Sequence, residues 1–325
     1  DGLGIPVSSP QRMAAYISDL MAAQLQYGSA GRPVSRPTRL PADVRQWQDG
    51  GRVIATRAGN VFVRSAAGGG PTLLLLHGFP SSSYDFRGVV DRLGDQAWLT
   101  LDFLGFGLSD KPRPHRYSLL EQADVVQDVV ADAGLDQVVL LAHDMGTSVA
   151  TELLARDISG SLPFDIQRAV LTNGSVIIER ASLRRSQKIL RGPLGPLFAR
   201  LTNKRGFIRG FAELFSAAHP LSEEEAEAQW ALLAREDGQR ILHLLCAYLN
   251  ERVRFAPRWH GAVRDWPKPL GFVWGLDDPV ATTNVLDGLR QLRPGADVVE
   301  LPGLGHYPQV EDPQAFTDAV LSLLV

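Results

Sequence analysis

Apolar residues follow two rhythms along this chain. Leu73-Leu74-Leu75-Leu76, Trp98-Leu99-Thr100-Leu101, Val138-Val139-Leu140-Leu141-Ala142, Arg168-Ala169-Val170-Leu171-Thr172 and Leu270-Gly271-Phe272-Val273-Trp274 are short, nearly unbroken apolar runs. Runs of that length predict strands buried on both faces. Val53-Ile54-Ala55-Thr56, Val61-Phe62-Val63 and Val298-Val299-Glu300-Leu301 add shorter strands. Between them the spacing becomes helical. Leu119, Leu120, Ala123, Val126 and Val130 share one face of a helix predicted over 118–133, and further helices are predicted over 145–155 and 313–324. Strands alternating with helices give an α/β fold with a mostly parallel sheet and helices on both faces.

The alternation stops near Gly174 and resumes near Leu270. The chain between reads as helices only, and Ser222-Glu223-Glu224-Glu225 is a capping-box signature that starts one of them. A helical block inserted in an α/β fold therefore divides the chain into an N-terminal extension (1–50), a core (51–174 and 263–325) and a cap (175–262). Within the extension, Met13, Tyr16, Ile17, Leu20, Met21 and Leu25 recur at helical spacing. They predict an amphipathic helix packed on the main body, followed by a linker containing Gly31, Pro33, Pro37 and Pro41.

Composition narrows the function classes. At 325 residues and 45% hydrophobic, the chain can bury a full core, which excludes disorder. A net charge of −3 gives no electrostatic footprint for nucleic acid or an anionic membrane, and the basic residues, 29 of 33 of them Arg, read as scattered. The lone Cys246 excludes an intrachain disulfide framework and a thiolate-only metal site, and its apolar surroundings predict a packing role. No apolar run approaches the ~18 residues of a membrane span. A cytoplasmic location is expected, although the start at Asp1 leaves an upstream targeting segment open. Homodimer formation is left open as well.

The sharpest chemical feature is Ala142-His143-Asp144-Met145-Gly146, between a buried strand and a helix. It has the small–x–nucleophile–x–small frame of a nucleophile elbow, with Asp144 in the place usually held by serine. Taken alone, Asp144 reads equally as an N-cap. Three further segments at strand ends shift that balance. His77-Gly78-Phe79-Pro80 follows an earlier buried strand, where a backbone N–H of an oxyanion hole belongs. There Pro80 fixes the turn and leaves the Phe79 N–H free to point inward. Trp274-Gly275-Leu276-Asp277-Asp278-Pro279 offers two acids to orient an imidazole. Gly303-Leu304-Gly305-His306-Tyr307-Pro308 supplies that imidazole after the last strand. The chain order nucleophile, acid, histidine is that of α/β hydrolases.

These motifs, together with Asp102-Phe103-Leu104-Gly105-Phe106-Gly107 and Gln309-Val310-Glu311-Asp312-Pro313, resemble the α/β-hydrolase superfamily from about Val53 onward. The resemblance is to its aspartate-nucleophile branch of epoxide hydrolases and haloalkane dehalogenases. Leu171-Thr172-Asn173-Gly174 and Tyr248-Leu249-Asn250-Glu251-Arg252 look like the mesoderm-specific-transcript-like subgroup. The resemblance implies Asp144 as nucleophile, Asp278 rather than Asp277 as the acid, and His306 as base. It also implies an oxyanion hole from the Phe79 and Met145 N–H groups, with His77, Gly78 and Pro80 shaping the turn. Asp102 becomes a structural turn residue.

In that chemistry Asp144 attacks an sp³ carbon, and His306 activates the water that hydrolyses the ester. No metal or cofactor is expected. The implied partners are a small apolar epoxide and water, with Tyr248 as the proton donor to the opening epoxide. The other tyrosine that such enzymes use has no counterpart, because 194–215 offers Phe198, Phe207, Phe211 and Phe215 instead. Met145 brings no side-chain donor for a halide, which leaves dehalogenation second. A non-catalytic binding protein of the same fold is the third reading.

Overall fold

The computed structural model describes residues 39–324. The predicted helix at 13–25 and most of the predicted linker lie outside the described residues. Eight strands form one sheet in the order β1-β2-β4-β3-β5-β6-β7-β8. They are β1 (Arg52–Thr56), β2 (Gly59–Ala66), β3 (Gly69–Leu76), β4 (Gln96–Leu101), β5 (Gln137–His143), β6 (Asp165–Thr172), β7 (Leu270–Gly275) and β8 (Val298–Leu301). β2 pairs antiparallel with both β1 and β4, and every other pairing is parallel.

The period-2 geometry of a strand sends alternate residues to opposite faces, and the sheet divides its apolar residues accordingly. Leu74, Leu76, Leu140, Ala142 and Leu171 join the core formed with the helices Leu119–Asp132 and Met145–Ile158. Leu73, Leu75, Val139, Leu141 and Val170 join a second core with Phe86, Val89, Phe316 and Val320. Both faces are therefore dry, which explains why the central strands read as continuous apolar runs.

The helix Ala42–Asp49, within the segment assigned to the N-terminal extension, packs on this core. It buries Val44 and Trp47. The Trp47 indole donates to Ser83 Oγ at 3.4 Å, and Asp43 accepts the Tyr84 hydroxyl.

All the larger helices between β6 and β7 belong to one insertion, including Gly195–Leu201, Glu223–Ala234, Tyr248–Arg254 and Ala256–Asp265. Ser222 caps its helix by accepting the Glu225 N–H at 3.1 Å. The capping box closes only halfway. Glu225 pairs instead with Arg87 and accepts from Gln229 Nε2 at 2.8 Å, since a nearby cation attracts a carboxylate more strongly than a neutral N–H does.

The insertion is tied to the core through Glu152 on the helix Met145–Ile158. That buried carboxylate accepts Arg258 Nε at 2.7 Å, Trp259 Nε1 at 3.0 Å and Arg156 Nε at 3.0 Å. Burial alone would raise its pKa, but these donors bring it below the ordinary value. Among the described residues no helix is long and apolar enough to cross a membrane.

Candidate active site

β5 ends at His143, and the next helix starts at Met145. Asp144 alone makes the turn, with φ 43° and ψ −109°. A non-glycine residue there stores roughly 1–3 kcal/mol of strain. The surroundings hold it in place. Its N–H donates to Thr172 O at 3.2 Å, and its carbonyl accepts Thr147 Oγ1 at 2.6 Å and Arg252 Nη2 at 2.8 Å. The small residues of the motif are sterically required. A Cβ at Gly146 would sit 2.5 Å from Leu76 O, and one at Gly78 would sit 2.7 Å from Asp144 Cβ.

The turn after β3 faces this elbow. Phe79 N–H donates to Asp144 Oδ2 at 2.9 Å, leaving Oδ1 as the other oxygen. His77 sets the turn: Nδ1–H donates to Gly78 O at 2.8 Å, while Nε2 accepts Phe103 N–H at 2.9 Å. Burial lowers the His77 pKa, in keeping with that neutral tautomer. Pro80 lines the adjoining cavity, and the Phe79–Pro80 peptide is cis. Met145 occupies the first helical position, where a backbone N–H has no intrahelical acceptor, and its side chain is buried.

Asp278, after β7, and His306, after β8, meet at this edge of the sheet. His306 Nδ1 donates to Asp278 Oδ2 at 2.7 Å. That bond assigns the proton to Nδ1 and leaves Nε2 as the basic nitrogen. Asp278 also accepts Asn173 Nδ2 at 2.8 Å and the Val280 and Ala281 N–H groups at 2.7 and 2.9 Å. Burial opposes its charge, yet His306 and these donors win, so its pKa lies below the ordinary value. For His306, burial lowers and the Asp278 and Asp144 carboxylates raise, with a net upward direction. Asp277 is not in this network; its backbone N–H donates to Leu304 O at 2.9 Å.

Tyr248 is buried beside the elbow, with its ring 5.6 Å from that of Phe79. Its hydroxyl makes no close hydrogen bond, although the Gln187 side chain is near enough to act on its pKa. Burial raises its pKa well above 10, and the Asp144 charge adds to the rise. Four residues with no role assigned from the sequence complete the site. Arg252, 1% exposed, sends Nε to Ser148 Oγ at 2.8 Å and places Nη2 3.6 Å from Asp144 Oδ1. Its guanidinium lies 4.6 Å from the centre of the Tyr248 ring. The i, i+4 spacing of Tyr248 and Arg252, which puts both on one helix face, is the signal that could have revealed it. Asn173 also bonds Gly275 at both its amide ends. Tyr307 donates to Phe79 O at 3.2 Å and stacks on Phe215. His143 donates through Nε2 to His306 O at 2.7 Å, and burial pushes its pKa down to about 4, so it stays neutral.

A cavity of about 340 Å³ adjoins these groups. Its walls include Leu190, Phe198, Phe207, Phe211 and Leu214, and it reaches Phe79 and His306. Asp144 and Tyr248 are buried and are not among its lining residues. Cys246 is buried near these groups, its Sγ 3.7 Å from Gln187 O, and burial pushes its thiol up to about 12. Among the described residues no group of three or more His, Cys, Asp or Glu side chains could hold a metal ion.

Residues 71–313 match the family described as the alpha/beta hydrolase fold. LipZ of Mycobacterium tuberculosis is 71% identical over 282 residues, covering 87% of this chain and 98% of that protein. The mesoderm-specific transcript homolog protein of Homo sapiens is 36% identical over 302 residues, 89% of this chain and 90% of its own. Among solved structures, haloalkane dehalogenase DbeA from Bradyrhizobium elkani has a TM-score of 0.71 at 22% identity, covering 84% of this chain and 96% of that one. At that identity the likeness is one of fold alone.

Proposed function

The chain belongs to the α/β hydrolase fold family, and from that premise we propose that it is an epoxide hydrolase working through an Asp144 ester. One observation carries the reading: a carboxylate stands at the elbow, with the Phe79 N–H on one of its oxygens. A serine there would favour acyl transfer, whereas a carboxylate suits displacement at an sp³ carbon.

The first step forms a bond from Asp144 Oδ1 to an epoxide carbon and breaks that carbon's bond to the ring oxygen. The resulting alkoxide is far more basic than a phenol and takes the Tyr248 proton. The position of Tyr248 beside Asp144, with no close partner on its hydroxyl, supports that role. Arg252, over the Tyr248 ring, stabilises the phenolate until solvent returns the proton.

In the second step His306 Nε2 takes a proton from water, whose oxygen bonds to the Asp144 carboxyl carbon. Negative charge develops on Oδ2, which already holds the Phe79 N–H and lies at the start of the Met145 helix. Collapse breaks the bond from the carboxyl carbon to Oδ1, His306 Nε2–H returns its proton to that oxygen, and the diol leaves with Oδ1. The water oxygen stays on Asp144, whose carboxyl proton passes to solvent and balances the one returned to Tyr248. His306→Ala is expected to stop at the ester, visible as a mass increment equal to the epoxide. Because the cavity is lined by Phe79 and His306 and not by Asp144, that wall must yield as substrate engages.

Haloalkane dehalogenation is the second reading, supported by the cation of Arg252 near the nucleophile and opposed by the aliphatic Met145 side chain. Incubation with panels of apolar epoxides and haloalkanes separates the readings. Diol release is expected. Halide release without diol would move the assignment to dehalogenase, and neither product across broad panels would favour a binding protein.

A further inference from the structure

The helix Gly195–Leu201 is inverted. Its small residues, Gly195 and Ala199, are buried, while Leu194, Leu197, Phe198 and Leu201 are 65%, 56%, 36% and 67% exposed. At ~100° per residue these four fall within an arc of roughly 100°. Ile189, 39% exposed, extends the same region. Scattered exposed leucines are ordinary, but a continuous apolar stripe on the outer face of a helix marks an interaction surface.

The charge around the stripe is as unusual as its polarity. Between 183 and 209 the chain has eight basic residues and no acidic one, although its overall charge is −3. The whole-chain balance hides this local excess. Arg185, Lys188, Arg191, Arg200, Lys204, Arg205 and Arg209 are all exposed, and of these Lys204 is paired with Glu227. An outward apolar stripe bordered by cations is the composition of a helix lying in a membrane interface. Leu201 and Phe198 also line the cavity that reaches His306, so the stripe borders its mouth.

We infer that this face of the insertion docks on an anionic lipid bilayer, with Leu194, Leu197 and Leu201 entering the acyl boundary and the flanking cations meeting the headgroups. An exposed apolar stripe beside exposed cations fits a fluid apolar phase with an anionic surface. Docking would set the cavity mouth against the membrane, so an apolar substrate dissolved in lipid could enter without crossing water. The inference does not depend on which bond the site hydrolyses.

The test is co-sedimentation of the full chain with phosphatidylcholine vesicles with and without phosphatidylglycerol. Binding is expected to the anionic vesicles, lost at about 1 M salt where charges are screened beyond ~3 Å. The double variant L194E/L197E, altered at solvent-facing positions outside the cavity, should keep its melting temperature and lose vesicle partitioning by roughly tenfold or more. K188E/R191E should lose the preference for anionic lipid. Unchanged partitioning of L194E/L197E would overturn the inference. So would a protein that ignores both vesicles, including one whose self-association this variant abolishes.

Discussion

Arg252 Nη2 donates to the backbone carbonyl of Asp144 at 2.8 Å and lies 3.6 Å from Asp144 Oδ1. One buried cation thus holds both the strained backbone of the elbow and the charge of its side chain. Its Nε bond to Ser148 fixes the guanidinium from the other side. Arg252→Met should therefore destabilise the protein by about 3–5 kcal/mol, because the Asp144 charge would be left buried without its partner. Arg252→Lys keeps a charge but loses the fork, and should fall between the two. Urea denaturation checks both. A loss below about 1 kcal/mol for Arg252→Met would mean the pair does not hold the elbow.

Tyr248→Phe should separate stability from activity. The hydroxyl is buried with no close hydrogen bond, only the Gln187 side chain standing near it, and a fully unsatisfied buried hydroxyl costs roughly 1–3 kcal/mol. Its removal is expected to leave stability unchanged or raise it. Loss of the proton donor should slow Asp144 alkylation by roughly 10²–10⁴ with ester hydrolysis unaffected. Stopped-flow separation of the two steps reads this directly. A variant that alkylates at the wild-type rate would remove Tyr248 from the mechanism.

His306 acts as a base only when neutral. Asp278 and Asp144 raise its pKa against the lowering effect of burial, so it stays protonated to a higher pH than a free histidine. Ester hydrolysis should rise with pH as His306 loses its proton and then level off; in the ester Asp144 carries no charge, so Asp278 is left to raise that limb against burial. Asp278→Asn removes a raising charge, so its limb should shift to lower pH and its plateau should fall. A limb that does not move in Asp278→Asn would detach Asp278 from His306.

Asp85 bears on stability and not on catalysis. Burial pushes its pKa up to about 7, while Ser81 and Gln229 donate to it. The native state therefore keeps a proton that the unfolded chain releases near pH 4. Between about pH 4 and 7 the native state binds more protons, so this contribution to stability falls as pH rises. Asp85→Asn keeps the Gln229 bond on its oxygen, and the Ser81 hydroxyl can turn to accept from its amide. The variant should lose that slope and be more stable at pH 8, by at most about 4 kcal/mol. Melting curves from pH 5 to about 8 that coincide in slope with wild type would contradict this.

The elements that were legible in the sequence share a physical feature: their signal is local. The elbow declares itself in five consecutive residues because the turn excludes a Cβ at Gly146, and the strands do so because both sheet faces are dry. Two loops at strand ends bring His306 to Asp278, although the loop itself left Asp277 and Asp278 both open and only the family resemblance chose between them. What was not legible depends on distant partners. Arg252 reaches Asp144 across 108 residues, and Asn173 reaches Asp278 across 105. No periodicity encodes such a contact. The helix Ala42–Asp49 was read as part of an extension for the same reason, since Trp47 finds its place only against Ser83 and Tyr84. The capping signature at Ser222 does start its helix, and only the return bond is missing, because Arg87, far away in sequence, captures Glu225.

The central claim is that Asp144 forms a bond to the substrate carbon. It is tested most directly by one turnover of excess enzyme with a terminal epoxide in heavy-oxygen water, followed by mass analysis of the diol and of the Asp144 peptide. The account predicts a diol carrying only light oxygen and one heavy oxygen in the Asp144 carboxylate. A diol that takes its new oxygen from the heavy water in that first turnover, with Asp144 unlabelled, would contradict it.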